Sequence, residues 1–69
     1  MKINDEVKIK DNNKVKNDPH LEDRALIIIA ENNYKGVITK IVDGIHFVGF
    51  KNDLVWVTQG FKTNEIEVV

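Results

Sequence analysis

An Asp43-Gly44 pair sits between two runs of strand-forming residues, and no other feature restricts the fold of this chain as strongly. Val37-Ile38-Thr39-Lys40-Ile41-Val42 precedes the pair and Ile45-His46-Phe47-Val48-Gly49-Phe50 follows it. Both runs are rich in β-branched or aromatic side chains, which pack well on a pleated surface. Glycine accepts a positive φ without a Cβ clash, so a two-residue turn is expected to fold the runs into an antiparallel hairpin. The rest of the chain must then fit an antiparallel sheet.

The remaining sequence supplies further strands. Ile3, Val7 and Ile9 fall on odd positions, and Glu6–Ile9 alternates as a half-buried strand should. The polar, Asn-rich DNNKVKND (11–18) reads as a loop. Beyond Phe50, Lys51-Asn52-Asp53 reads as a turn and Leu54-Val55-Trp56-Val57-Thr58 as a strand that Gln59-Gly60 breaks. Phe61–Glu65 suggests a turn or a single helical turn before a last strand, Ile66–Val69. Five short strands joined by tight turns point to a mainly β protein, a small five-stranded antiparallel barrel in one domain spanning 1–69. Sixty-nine residues lie near the lower size limit for independent folding, and without cysteine no disulfide can assist.

The stretch DPHLEDRALIIIAENNYKG (18–36) is ambiguous. Asp18 suits an N-cap, Pro19 the first helical position, and Glu22 and Asp23 the positive end of a helix dipole. Leu21, Ala25, Ile28 and Ile29 form one helical stripe, with Asn32-Asn33 as a stop. A strand would instead spread Leu26-Ile27-Ile28-Ile29 over both faces of a sheet, which one wet face cannot easily accept. The expectation is a helix over 19–32, inserted after the first strand, with Ile27 off its stripe.

Several of these features together resemble the SH3-like barrels of bacteria and their phages, including the KOW-type variety. They are the strand Glu6-Val7-Lys8-Ile9, a long excursion, Gly36-Val37-Ile38 with Ile41 beyond, the Asp43-Gly44 hairpin and Val48-x-Phe50. Thr63-Asn64-Glu65 before Ile66-x-Val68 completes the set, since such barrels commonly place a single helical turn before the final strand. The resemblance implies an SH3-like barrel with a binding role, of bacterial, phage or mobile-element origin. A helix in the long loop after the first strand departs from that pattern.

Composition narrows the function. Serine and cysteine are absent, and His20 and His46 stand far apart, so nucleophilic catalysis and a metal centre have no visible residues. Glu65 and Glu67 are two apart on a solvated strand face, an ordinary spacing that does not make a catalytic pair. The expectation is a protein that is not an enzyme and uses no cofactor. No apolar run approaches membrane-spanning length and MKINDEVKIK lacks a signal-peptide core, so a cytoplasmic protein is expected. Ten Lys plus Arg against eleven Asp plus Glu give a net charge of −1, which weakens the case for nucleic acid.

Alternation along the strands assigns the large side chains. Val48 and Phe50 are expected in the core with Ile38, Ile41, Val57, Ile66 and Val68, whereas Phe47 and Trp56 fall on the other face. The leading function is a protein-binding or adaptor module, its apolar and aromatic contacts drawn from Leu26, Ile27, Tyr34, Phe47, Trp56 and Phe61. The first alternative is a nucleic-acid-binding KOW-like barrel that uses the basic lobe Lys8, Lys10, Lys14 and Lys16. The second is a structural subunit whose Ile-rich segment makes a homo-oligomer.

Overall fold

The computed structural model describes every residue except His20 and residues 52–54. The turn expected at Lys51-Asn52-Asp53 and the strand start expected at Leu54 therefore lie outside the described residues, in the first case at all but Lys51. Among the described residues five strands form one antiparallel sheet: β1 (Glu6–Ile9), β2 (Lys35–Val42), β3 (Ile45–Lys51), β4 (Trp56–Lys62) and β5 (Ile66–Val68). Their order is β4-β3-β2-β1-β5. β4 and β5 are the two edges and do not pair, so the sheet is open and not the closed barrel expected.

The hairpin between β2 and β3 turns at Asp43 (φ 50°) and Gly44 (φ 79°), both left-handed as a tight two-residue turn requires. The pairing shifts between Ile38 and Lys40, a bulge in β2. Lys62 N–H donates to Glu65 Oε1 at 2.8 Å and caps a single 3₁₀ turn, Thr63–Glu65, which leads into β5 as the sequence suggested.

A nine-residue helix, α2 (Asp23–Glu31), follows a shorter one, α1 (Asn12–Lys16). The segment read as a loop thus contains α1, because Asp11 accepts the Asn13 N–H at 3.0 Å as a cap and Val15 buries itself in the core. The long helix begins later than expected. Leu21 N–H donates to the Asp18 carbonyl at 3.3 Å, and Pro19 lies ahead of the helix rather than at its first position. The helix ends at Asn32, as expected, and the Asn32 side chain donates both to the Ile28 carbonyl (2.8 Å) and to the Lys51 carbonyl (3.0 Å). That pair of bonds ties α2 to the end of β3. Asn33 and Tyr34, both left-handed, then turn the chain into β2.

The core lies between the inner sheet face and the helices. Val7, Ile9, Val15, Ile28, Ile29, Ile38, Val48, Phe50, Phe61 and Ile66 are buried as one cluster. Burying Ile28 and Ile29 contributes about 1.5–3 kcal/mol each. Phe61 meets Phe50 edge to face, ring centroids 6.5 Å apart, so it belongs to the core and not to the surface where the sequence placed it. The reason is that β4 runs on through Gln59-Gly60, pairing Gly60 with Phe47, and alternation then turns Phe61 inward. Two residues expected in the core are exposed instead. Ile41 (37 %) lies past the bulge toward the hairpin end, and Val68 (53 %) ends a three-residue edge strand. Val57 is half-buried. His46 is buried and its Nδ1 has no hydrogen-bond partner among the described residues.

Two pairs of measurements check this arrangement. An added Cβ at Gly44 meets nothing within 4 Å, so Gly44→Val acts through its left-handed backbone alone. It is expected to cost about 1–2 kcal/mol in urea unfolding, and Gly44→Asn much less. On α2, Ile28→Ala should lose about 2–5 kcal/mol as a cavity mutant. The adjacent Ile27→Lys should stay within about 0.5 kcal/mol of the parent, because Ile27 is 58 % exposed.

Candidate binding face

The side of the sheet away from the helices is built by alternation from β3 and β4. Phe50, Val48 and His46 point inward, so Lys51, Gly49, Phe47 and Ile45 point outward. Opposite them on β4 stand Trp56, Thr58, Gly60 and Lys62. The pairing carries these rows across the sheet. Thr58, Gly49, Val37 and Glu6 form one row, and Gly60, Phe47 and Lys40 form the next. Lys8 stands opposite Lys35 and Glu67. Continuing the β2–β3 register by one pleat brings Lys35 level with Lys51.

Trp56 dominates this face. It is 52 % exposed, unusual for so large an apolar side chain, yet it is fixed on several sides. The six-membered half of its indole closes over Gly49, where a Cβ would lie 2.7 Å from Cε2 and closer still to Cζ2. Glycine is required there because any side chain would occupy the ring's place. The indole Nε1–H donates to Thr58 Oγ1 at 3.0 Å, and Lys51 Nζ sits over the ring, 6.0 Å from its centroid. Beside it runs an open cleft of about 310 Å³ lined by Trp56, Gly49, Val37, Gly36, Lys35, Lys51, Asn32 and Glu6. An aromatic plane held in one orientation loses little entropy when a ligand covers it.

The residues singled out in the sequence do not form one surface. Trp56 and half-buried Phe47 share the outer face. Leu26 and Tyr34 are half-buried and pack on the core. Ile27 is exposed on α2, with Asp23, Arg24, Ala30 and Glu31 as exposed helical neighbours. Phe61 is in the core.

The basic lobe is likewise divided. Lys8 pairs with Glu67 at 3.2 Å on the outer face, and Lys16 lies over the Tyr34 ring at 5.7 Å. Lys10 and Lys14 line a small cleft of about 100 Å³ together with Asp11, Asp18 and Glu65, over an apolar floor that includes Ile9, Val15 and Phe61. The four lysines therefore do not share one surface.

Alternation already sets Gly49 on the face of Phe47, but sequence reading missed Lys35, Lys40, Lys51 and Lys62 as members of it. Their signal was the odd-numbered alternation of β3, but the neighbours on β2 and β4 emerge only once the register is known.

Gly49→Ala should push the indole off its seat. The protein carries a single tryptophan, so its emission reports this site alone. Acrylamide quenching is expected to rise in Gly49→Ala and to stay at the parental value in Gly44→Asn.

No protein-family model matches the chain, and no curated protein or solved structure shows significant similarity to it. The functional reading therefore rests on the geometry of the face.

Proposed function

We propose that the protein is a non-enzymatic binding or adaptor module on an SH3-like plan, and that its ligand lies on the outer sheet face around Trp56 and Phe47. The SH3-like plan draws support from the first strand, the long excursion after it, the hairpin at Asp43-Gly44 and the 3₁₀ turn before β5. One observation carries the binding role: Trp56 is half exposed while its indole is seated on Gly49 and bonded to Thr58. A chain near the lower limit of foldable size gains most by burying its one tryptophan. Holding it rigid and wet instead makes sense as recognition. Macromolecular contacts concentrate their energy in such aromatic anchors.

The face offers an apolar-aromatic contact and a cationic one. The first, with Val37, Ile45, Phe47 and Trp56, is what a protein segment would meet, and an adaptor role follows if the ligand is a protein. Ile27 alone on α2 would make the smaller contact with a second copy of the chain.

A photo-crosslinking phenylalanine at position 47 tests this reading in the source cells, with the same group at exposed Arg24 as the control. Adducts are expected from position 47 and not from position 24. Equal yields from both positions, or none from 47, would refute the outer face as the ligand surface.

A further inference from the structure

We infer that the ligand of this face is single-stranded nucleic acid, a conclusion that rests on the binding-module reading above and names its ligand class. The first argument is the distribution of charge. The whole chain is at −1, but the outer face carries Lys8, Lys35, Lys40, Lys51 and Lys62 against Glu6 and Glu67. Among the described residues five lysines therefore meet two glutamates there. Lys8 and Glu67 neutralise each other in an ion pair, which leaves four lysines and one glutamate.

The second argument is the kind of cation. Protein–protein interfaces are depleted in lysine at their centres, because the ammonium group is costly to strip of water. A phosphate backbone reverses that preference: each lysine that neutralises a phosphate releases a condensed counterion. An aromatic flanked by Lys51 and Lys35 is thus poorly suited to a dry protein contact and well suited to a polyanion.

The third argument is the shape of the anchor. A base stacks on any exposed aromatic plane whatever its identity, and Trp56 is such a plane. Lys51 is exposed on a flexible stem, so a base can take the ring while the ammonium moves to the adjoining phosphate. The cleft beside the indole is lined by Lys51 and Lys35, with Glu6 as its one acid, and offers a path for the backbone. Paired bases could not reach the indole, since their faces are already stacked. The ligand is a single strand.

Intrinsic fluorescence of the intact protein tests this directly. Titration with an oligo(dT) of about 10 nucleotides, within the usual site size of single-strand binders, is expected to quench Trp56. Binding should weaken with salt with a log–log slope of roughly −2 to −3, or about −0.7 for each phosphate contacted by the unpaired lysines. The same length of duplex should bind at least tenfold more weakly. The double variant Lys35→Glu, Lys51→Glu should lose at least tenfold in affinity. Its unchanged unfolding midpoint and far-ultraviolet spectrum would show that the fold survives. Trp56→Ala, followed by anisotropy of a labelled oligonucleotide, should lose a similar factor.

Absence of quenching at 50 mM salt would overturn the inference, as would quenching by poly-L-glutamate as strong as by oligo(dT). So would binding that Lys10→Glu, Lys14→Glu abolishes and the Lys35, Lys51 variant does not. If oligo(dT) fails while position 47 still gives specific adducts, the outer face stands as a binding surface and its ligand is a protein. If both fail, the binding-module reading falls as well.

Discussion

Two adjacent isoleucines hold this structure together. An open antiparallel sheet has two faces and two edges, and one face must be dry for the chain to fold at all. Ile28 and Ile29 of α2 are among its most completely buried side chains, and they share the core with Val48 and Phe50 of β3 and Phe61 of β4. The helix is consequently a structural lid, pinned at its C-terminal end by Asn32 on the Lys51 carbonyl. A lid supplied from the excursion after β1 lets a short sheet build a core without closing on itself.

That solution determines what the other face can be. Most of the bulky aliphatic residues of the strands are committed to the inner side, and the outer side is left with Val37, Val42 and Ile45 among glycines, a threonine, charged residues and two aromatics. Gly49 is buried although it faces outward, because the indole of Trp56 lies on it. The tryptophan is thus supported from beneath by backbone, and its orientation is set by that seat together with the Thr58 hydroxyl. Rigidity of the anchor is a by-product of the strand that carries the core.

Much of the architecture was legible in the sequence because it is encoded locally. Asp43-Gly44 specifies its own turn, Glu6–Ile9 its alternation, and Ala25, Ile28 and Ile29 the helical face, although Leu21, expected on the same stripe, lies ahead of the helix. The failures occur where a distant partner decides. Gln59-Gly60 looks like a break until Gly60 is seen beside Phe47, and that pairing is what sends Phe61 inward. Val15 appears to be one apolar residue in a polar loop until the core accepts it and Asp11 caps the turn around it. Ile41 and Val68 are apolar on the inward phase of their strands, but the core does not reach so far along the sheet. At the site, alternation exposed Trp56 and Phe47, whereas the lysines come together only through the register of β1, β2 and β3. The cluster Lys8–Lys16 was close in sequence and is dispersed in space.

The separation of charge between the two sides changes what net charge means for this molecule. Among the described residues, with five lysines and two glutamates on the outer face, five basic groups and eight acids remain for everything else. The molecule measures 20 Å across its narrowest axis. In 0.15 M salt the Debye length is about 8 Å, less than half that thickness. An anion resting on the lysines is therefore screened from helix-side carboxylates such as Asp23 and Glu31 of α2, and the total of −1 describes neither side. At low ionic strength that shielding is lost, and the molecule acts as a dipole that rotates its lysine side toward an approaching polyanion before contact.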